Sequence, residues 1–415
     1  MLCGGWDLAE RAATSLGRVR ALLLENVHDD AAFALRDAGF EVERLDRALS
    51  EDQLVAKLPG VQVLGLRSNT ALTSRALDAG DELLAVGAFC IGTNQIDLTA
   101  TSARGVAVFN APFSNTRSVV ELALSEIIAL TRRLTDKNAA MHAGEWDKSA
   151  AGSHEVRGRR LGIVGYGNIG SQLSVLAESL GMRVLFFDTA DRLALGNARR
   201  CGTLDELLAE SDVVSLHVDG RSSNNDLFGE QQFARMRQGS IFLNLSRGFV
   251  VDHDALREHI LSGHLVGAAV DVFPREPKAK GEEFVSVLRG LPNVILTPHV
   301  GGSTEEAQQD IGHFVAGKLR DYILDGSTSL SVNLPPVTLP RSGTARLLHL
   351  HVNTPGVLAT VNGLLADHVV NIEGQQLSTR GSLGYAVTDI GSDPTSDVIS
   401  ALRELPETVR LRVLP

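Results

Sequence analysis

Three polar residues with complementary chemistry follow successive apolar segments in the second half of the chain. Arg247 lies in NLSRG, Glu276 in DVFPREP and His299 in TPHVGG. A histidine titrates near neutral pH, so His299 can accept a hydroxyl proton when an alcohol is oxidised and return it in the reverse reduction. A carboxylate beside the imidazole, here Glu276, raises its pKa and fixes its tautomer. Arg247 can bind a carboxylate through two parallel hydrogen bonds and polarise a carbonyl, so the set predicts an oxidoreductase of 2-hydroxy acids.

Each of the three also has an ordinary structural interpretation, as a paired surface arginine, a solvated glutamate or a hydrogen-bonded core histidine. Their joint placement after successive strands favours catalysis, because an open α/β sheet binds its ligand at the carboxyl ends of its strands. Asp271 ends one of these strands. It either contacts a nicotinamide carboxamide or caps the turn, and the sequence leaves both interpretations open.

The segment Arg160–Asp188, RLGIVGYGNIGSQLSVLAESLGMRVLFFD, has the layout of a dinucleotide-binding unit. A short apolar strand, a glycine-rich turn, an amphipathic helix and a second strand follow one another. Gly165 permits the tight turn, Gly167 the close approach of the backbone to pyrophosphate, and Gly170 the packing of the helix on the strand. The N–H groups at the start of the helix then face the phosphates.

Asp188 ends the second strand, 18 residues after Gly170. A carboxylate there accepts hydrogen bonds from the adenosine ribose hydroxyls and repels a 2′-phosphate, which predicts NAD rather than NADP as the cofactor. Arg192 opposes this assignment, since a nearby cation can bind a 2′-phosphate. We give more weight to Asp188, because Arg192 lies four residues beyond the end of the strand.

Composition and charge exclude several classes of protein. The chain has 415 residues, 44% of them hydrophobic, and a formal net charge of −11 without a block of Lys or Arg, so we expect no nucleic acid and no membrane as a partner. No apolar run approaches the roughly 18–20 residues that span a bilayer. Cys3, Cys90 and Cys201 are widely spaced, and no secretory signal precedes them. We therefore expect a cytoplasmic protein without a disulfide framework or a metal site.

Strands alternate with helices along most of the chain, which predicts parallel sheets. After a loose N-terminal extension, residues 1–18, five strands form a first α/β domain. Six strands, beginning at the glycine fingerprint, complete a doubly wound sheet in a second domain, and the long helix Glu305–Leu324 crosses back to the first. The predicted strands are Val19–Leu24, Phe40–Leu45, Val61–Leu66, Leu84–Val86 and Val106–Phe109 in the first domain, and Leu161–Val164, the strand ending at Asp188, Asp212–Val218, Ser240–Asn244, Gly267–Val272 and Val294–Thr297 in the second.

A segment rich in Ser, Thr and Pro, Ser327–Arg341, predicts a linker before a third unit of βαββαβ order, which is ferredoxin-like. The first strand of this unit, Arg346–Val352, alternates apolar residues with His349 and His351, which predicts one buried face and one exposed face. We therefore expect an α/β protein with two Rossmann-like domains, the nucleotide domain inserted into a discontinuous substrate domain, and a C-terminal ferredoxin-like domain. The predicted bounds are 19–114 and 303–330 for the substrate domain, 115–302 for the NAD domain, 331–342 for the linker and 343–415 for the C-terminal domain.

Seven segments of the chain resemble the D-isomer-specific 2-hydroxyacid dehydrogenase family. They are CIGTNQIDL, FNAPFSNTRSVVE, LGIVGYGNIGSQL, SDVVSLHV, NLSRGFVVD, GAAVDVFPREP and TPHVGGSTEEAQ, and the resemblance runs from about Val19 to Pro415. The residues implied by the resemblance are Arg247, Glu276 and His299 for catalysis, Arg67, Ser68, Asn115 and Arg247 for the substrate, and Gly165, Gly167, Asn168, Ile169, Gly170, Asp188, Leu245, Ser246, Arg247, Asp271, His299, Val300, Gly301 and Gly302 for NAD.

Within the family, the chain resembles the regulated branch that oxidises 3-phospho-D-glycerate with NAD in the first step of L-serine biosynthesis. The third unit resembles an ACT domain, a ligand-sensing module that pairs between subunits. The resemblance implies a homotetramer and L-serine as an effector bound by His351, Asn353 and Asn371. Arg67 and Lys148 are candidate cations for the phosphate of the substrate, and each is equally typical of an ordinary surface charge.

Asp219 departs from the family, whose members commonly have proline after LHV. The departure predicts a looser loop near the adenine and leaves the chemistry unchanged. The same catalytic set would also serve a glyoxylate or hydroxypyruvate reductase, or the reduction of 2-oxoglutarate to 2-hydroxyglutarate. NADH-sensing transcriptional corepressors keep the set as well, although the acidic composition and the ACT-like unit argue against a corepressor.

Overall fold

The computed structural model describes residues 18–277 and 281–415, and the chain divides into two compact units. Unit 1 combines the chain up to Ser114 with Gln308–Pro415, and unit 2 is Asn115–Ala307. The predicted N-terminal extension lies outside the described residues, except for Arg18. Among the helices of the described ranges, none is long and apolar enough to cross a membrane.

The first sheet of unit 1 has five parallel strands in the order β2-β1-β3-β4-β5. Its central strands are short and buried, as strands covered by helices on both faces must be. The direction in which successive strands are added reverses between β1 and β3, which is where an open α/β sheet has its ligand crevice. The elements are β1 Arg20–Leu24, α1 Asp29–Asp37, β2 Glu41–Leu45, α2 Glu51–Lys57, β3 Val63–Leu66, α3 Ser74–Ala79, β4 Ala85–Ala88, α4 Leu98–Ala103 and β5 Ala107–Asn110.

The sheet of unit 2 has seven parallel strands in the order β12-β11-β10-β9-β6-β7-β8, and not the six predicted. The missed strand, β8, is Arg199–Arg200, which pairs with β7 at the edge of the sheet. Two exposed arginines carry no apolar pattern, so periodicity does not reveal this strand. The elements are α5 Thr116–Thr131, α6 Leu134–His142, β6 Arg160–Val164, α7 Asn168–Ser179, β7 Arg183–Phe187, β8 Arg199–Arg200, α8 Leu204–Glu210, β9 Val213–Leu216, α9 Glu230–Arg235, β10 Ser240–Asn244, α10 His253–Leu261, β11 Leu265–Val270, β12 Val294–Leu296 and α11 Glu305–Asp325, which continues into unit 1.

The C-terminal part of unit 1 has the predicted βαββαβ order, with an antiparallel sheet in the order β14-β15-β13-β16. This strand order and the two helices give the ferredoxin-like fold, which confirms the expected fold class. The elements are β13 Ala345–Val352, α12 Val357–Asp367, β14 Ile372–Arg380, β15 Leu383–Ile390, α13 Ser396–Arg403 and β16 Thr408–Leu414.

Strand β13 is buried on both faces, which corrects the prediction of an exposed histidine face. His349 and His351 are only 2% and 3% exposed. Leu347 belongs to an apolar cluster with residues of α12 and α13, whereas Leu348 and Leu350 belong to the cluster that contains residues of α11. The period of two is correct, but helices cover one face and the rest of unit 1 covers the other.

Two arginines of the C-terminal sheet bind the end of α11. Arg346 donates to the Asp325 carbonyl at 2.9 Å and forms a buried bidentate pair with Asp389, with N···O distances of 2.6 and 2.8 Å. Arg412 donates to the carbonyls of Tyr322 and Ile323. The last carbonyls of a helix lack intrahelical donors, so these arginines fix the helix end to the sheet.

Candidate active site

His299 and Glu276 form a hydrogen-bonded pair on the loops after β11 and β12. Nδ1 of His299 lies 2.9 Å from Oε2 of Glu276, and Oε1 accepts the Phe273 N–H at 3.1 Å. The hydrogen bond that the His299 ring donates to Glu276 raises the pKa of His299, against the opposing effect of burial. Burial disfavours the charge on Glu276, but the hydrogen bonds from His299 and Phe273 outweigh it and lower the pKa of Glu276. The His299 side chain is 49% exposed, so a substrate can reach the ring.

Asp271 fixes the loop that carries His299. Its buried carboxylate accepts hydrogen bonds from the Thr297 hydroxyl at 2.6 Å, the Val300 N–H at 2.8 Å and the Gly301 N–H at 2.9 Å. The His299 backbone has a φ of 55°, in the left-handed region. This conformation costs a non-glycine residue about 1–3 kcal/mol and persists only where the surroundings hold it. Of the two interpretations of Asp271, the structure therefore shows the turn contacts.

Arg247 lies on the loop after β10, within electrostatic reach of the same pair. Its charge contributes to the lowered pKa of Glu276. Gly248 allows the two loops to approach each other, because a Cβ at this position would lie 2.0 Å from the carbonyl carbon of Phe273. The structure thus brings Arg247, Glu276 and His299 to the same edge of the unit 2 sheet.

The glycine turn after β6 lines a cavity of about 390 Å³ within unit 2. Gly165 has a φ of 92°, and a Cβ on it would lie 2.4 Å from the carbonyl oxygen of His217. A Cβ on Gly170 would lie 2.2 Å from the Gly165 carbonyl oxygen, so α7 packs directly on the turn. Apart from its neighbours in the chain, no described residue lies within 4 Å of a Cβ built on Gly167, which leaves space for a phosphate at the start of α7. These residues fit a dinucleotide.

Asp188 and Arg192 both line this cavity. The Asp188 carboxylate accepts the N–H groups of Tyr166 and Ala190, each at 2.8 Å. Nε of Arg192 lies 3.6 Å from Oδ2 of Asp188, so the cation that opposes the NAD assignment is paired with the carboxylate that supports it. An ionised carboxylate has about four acceptor sites, which leaves capacity for ribose hydroxyls.

His217 and Asp219 line the same cavity. Burial lowers the pKa of His217 to about 4, and its Nε2 lies 2.9 Å from the Ser215 hydroxyl, so the ring is neutral. The Asp219 carboxylate pairs with Arg221 at 2.6 Å and accepts a hydrogen bond from the Asn224 amide at 3.1 Å. These contacts join Asp219 to the residues that follow it in the loop.

The remaining predicted cofactor residues lie at the carboxyl edge of the same sheet. They are Asn168 and Ile169 at the start of α7, the buried Leu245 and Ser246 after β10, and Val300, Gly301 and Gly302 after His299.

The predicted substrate residues divide between the two units. Asn115, directly before α5, lies against Gly302 in unit 2, where a Cβ on that glycine would lie 2.2 Å from the Asn115 Nδ2. Arg67 and Ser68 follow β3 in unit 1. The candidate cation Lys148 lies 5.6 Å from the centre of the Trp146 ring, and both side chains are exposed.

One chain does not bring the three predicted effector residues together. His351 is buried, and its Nδ1 lies 2.9 Å from the carbonyl oxygen of Val352. The Asn353 N–H donates to the Ser382 carbonyl, whereas the Asn371 carbonyl accepts the Gly391 N–H. These contacts lie at opposite ends of β15, roughly 30 Å apart at the rise of a strand. A small ligand could touch all three positions only between two copies.

A buried carboxyl group on α5, Glu126, escaped the sequence analysis. It is 2% exposed, and neither of its oxygens has a hydrogen-bond partner among the described residues. Burial raises the pKa of Glu126 to about 8, and the charge of Asp271 adds to the effect. Its helical spacing with the buried Ala123, Ile127 and Leu130 is the signal that indicates an inward-facing position.

Comparison with known sequences identifies two regions. The family model described as D-isomer specific 2-hydroxyacid dehydrogenase, NAD binding domain, matches residues 124–301. The model described as AHAS small subunit-like ACT domain matches residues 347–410.

Similar proteins cover nearly the whole chain. D-3-phosphoglycerate dehydrogenase of Haemophilus influenzae is 49% identical over 98% of this chain and 100% of its own, and the Escherichia coli K12 protein of the same name is 48% identical over 96% and 98%. Among solved structures, D-2-hydroxyisocaproate dehydrogenase has a TM-score of 0.70 at 25% identity, covering 76% of this chain and 100% of its own. D-lactate dehydrogenase from Aquifex aeolicus, complexed with NAD and lactic acid, has a TM-score of 0.64 at 26% identity, covering 73% and 95%. The chain belongs to the D-isomer specific 2-hydroxyacid dehydrogenase family, with NAD as its cofactor and an ACT domain at its C-terminal end.

Proposed function

We propose that the chain catalyses the NAD-dependent oxidation of 3-phospho-D-glycerate to 3-phosphohydroxypyruvate, the reaction that opens L-serine biosynthesis. The observation that carries this proposal is the 49% identity to the Haemophilus influenzae D-3-phosphoglycerate dehydrogenase, which extends over 98% of this chain and all of that protein. The identity therefore includes both the NAD-binding domain and the ACT domain.

In the proposed reaction, His299 takes the proton of the substrate hydroxyl. Bound NAD supplies the acceptor for the hydride that leaves the same carbon. Glu276 stabilises the imidazolium formed by proton transfer, through the 2.9 Å hydrogen bond to Nδ1. Arg247 binds the substrate carboxylate and stabilises charge on the reacting oxygen. In the reverse direction His299 returns the proton to the ketone oxygen.

The domain bounds predicted from the sequence assign this chemistry to parts of the chain. We assign 19–114 and 303–330 to the substrate domain, with Arg67, Ser68 and Asn115 contacting the substrate. We assign 115–302 to the NAD domain and 343–415 to the ACT domain, joined by the linker 331–342. The unpaired guanidinium of Arg67 within the described residues supports its assignment to the phosphate of the substrate.

We further infer that L-serine inhibits the enzyme by binding between paired ACT domains of a cytoplasmic homotetramer. The positions of Asn353 and Asn371 at opposite ends of β15 support a site shared by two copies. The contacts of Arg346 and Arg412 with the end of α11 provide a path from the ACT sheet to the helix that starts six residues after His299.

A turnover assay tests the proposed chemistry. Wild-type protein with NAD and 3-phospho-D-glycerate is expected to form NADH, and His299→Ala to lower turnover by roughly 10²–10⁴-fold while NAD binding changes little. Near-normal turnover of His299→Ala would remove His299 from the mechanism.

A further inference from the structure

Two loops meet at the carboxyl edge of the first sheet in unit 1. Strands β1 and β3 are parallel neighbours, with Leu22 opposite Leu64 and Leu23 opposite Gly65. The residues that follow them, Glu25 after β1 and the Arg67–Thr70 turn after β3, are therefore adjacent. The strand order reverses between these two strands, which is the ligand-binding position of an open α/β sheet.

The carboxylate of Glu25 holds the Arg67–Thr70 turn by its backbone. Oε1 accepts the N–H groups of Arg67 at 3.2 Å and Thr70 at 2.8 Å, and Oε2 accepts the N–H of Asn69 at 2.9 Å. Glu25 is 7% exposed. Three backbone N–H groups of the turn thus converge on one buried side chain, and together they fix the position of the turn relative to β1.

The turn is also held from its other side. The Gln95 side-chain amide donates to the Arg67 carbonyl. The buried Thr70 hydroxyl accepts the Leu49 N–H at 3.2 Å. The backbone of the turn is thus fixed through both its donors and its acceptors.

Glu25 occupies a strained conformation. Its φ is 63° and that of Asn26 is 52°, both in the left-handed region. A residue with a Cβ is strained in this region, and strain of this kind is retained where the surroundings require it. The hydrogen bonds to the turn supply that requirement.

The contacts of Glu25 leave a specific set of donors for a ligand. The carboxylate engages N–H groups and forms no ion pair with Arg67, whose guanidinium has no hydrogen bond or ion pair within residues 18–277 and 281–415. The Ser68 N–H does not donate to Glu25, and Ser68 is exposed next to Arg67 in the turn. A guanidinium next to a hydroxyl and a backbone N–H is a donor set suited to phosphate.

We propose that Glu25 is a positioning residue for substrate binding, which fixes the Arg67–Thr70 turn so that Arg67 and Ser68 face the phosphate of the substrate. The inference rests on the proposed function, because that function assigns Arg67 and Ser68 to the substrate. Glu25 itself touches neither the substrate nor the cofactor.

The variant Glu25→Gln tests the proposal. The amide keeps one acceptor oxygen and turns an NH₂ group toward backbone N–H donors, so the turn must rearrange. We expect the KM for 3-phospho-D-glycerate to rise roughly tenfold, while kcat and the KM for NAD stay within about twofold. Glu43→Gln, at an exposed position of β2 in the same unit, is the matched control and is expected to behave as wild type.

A double-mutant cycle with Arg67→Ala separates positioning from general stability. If Glu25 acts through the turn, adding Glu25→Gln to Arg67→Ala raises the KM little further, because the effects of coupled residues are not additive. Additive effects, or an unchanged KM in Glu25→Gln, would overturn the inference while the proposed function stands. Wild-type protein inactive on 3-phospho-D-glycerate would overturn both. Should Glu25→Gln fail to fold, Gln95→Leu releases the turn from its carbonyl side, and an unchanged KM there counts against the inference.

Discussion

Nδ1 of His299 and Oε2 of Glu276 lie 2.9 Å apart, although 23 positions separate the two residues in the chain. Parallel strands β11 and β12 are neighbours in the sheet, so the loops after them meet at the same edge. The pairing raises the pKa of the imidazole through the Glu276 hydrogen bond and leaves the other ring nitrogen for the substrate. This relationship connects the fold to the proton transfer.

Glu276→Gln should move the acidic limb of the pH–rate profile for alcohol oxidation to lower pH. Oxidation needs neutral His299, and the carboxylate raises the pKa of that residue, so its removal lets the imidazole lose its proton at lower pH. The check is kcat/KM against pH for both proteins. The control is Glu230→Gln, which lies 3.1 Å from His259 in another Glu–His pair of unit 2. A profile that does not move would exclude the pairing from catalysis.

Asp188→Ala should weaken the binding of NAD and reduce the preference for NAD over NADP by roughly tenfold. The change removes an acceptor for the ribose hydroxyls and releases Arg192, which now lies 3.6 Å from the carboxylate. The measurement is the ratio of kcat/KM for the two cofactors. Asp191→Ala, an exposed neighbour paired with Arg200, serves as the control. A wild-type preference for NADP would show that another residue selects the cofactor.

Glu126→Gln should stabilise the protein at neutral pH. Burial raises the pKa of Glu126 from 4.5 to about 8, so the folded protein keeps a proton that the unfolded chain releases. The contribution of Glu126 to the free energy of unfolding is therefore fully present below about pH 4.5. It is lost as the pH rises toward about 8. At pH 7 we expect the free energy of unfolding of Glu126→Gln to exceed that of wild type by on the order of 1–3 kcal/mol.

Thermal unfolding between pH 6 and pH 8 measures this effect. The melting temperature of wild-type protein should fall more steeply with pH than that of Glu126→Gln. The exposed Glu121→Gln on the same helix should follow wild type. Parallel curves for Glu126→Gln and wild type would contradict a neutral buried carboxyl group.

Millimolar L-serine should inhibit the wild-type dehydrogenase, and Asn353→Ala should reduce that inhibition. A ligand shifts an equilibrium only as far as it binds one arrangement more tightly, so losing a contact reduces the shift. The check is the initial rate against serine concentration. A wild-type rate that does not respond to L-serine would exclude L-serine as an effector. Equal inhibition of both proteins would show that the serine site does not include Asn353.

Most of the fold follows from local patterns. Buried apolar strands separated by glycine turns and amphipathic helices predict the parallel sheets, and these patterns are strong because each strand needs cover on both faces. β8 escapes because two exposed arginines pair only through their backbones. The prediction of an exposed face on β13 is wrong because the pattern shows which residues share a face but not what packs on it. His349 is covered by helices from the same domain.

The candidate site is predictable where side chains follow strands in a regular order. Arg247, Glu276 and His299 occupy such positions, and the structure places them at one edge. The backbone contacts of Asp271 and Glu25 cannot be read in this way, because a carboxylate that accepts N–H groups looks like any other acid in the sequence. Their partners lie on other loops, 26 to 45 positions away.

The most direct test of the proposed function compares substrates that differ only in the phosphate. NADH formation is followed for 3-phospho-D-glycerate and for D-glycerate, together with the reverse reaction on glyoxylate, hydroxypyruvate and 2-oxoglutarate. We predict the highest kcat/KM for 3-phospho-D-glycerate, and a loss of the discrimination against D-glycerate in Arg67→Ala. Equal or better efficiency with an unphosphorylated acid in the wild type would contradict the account.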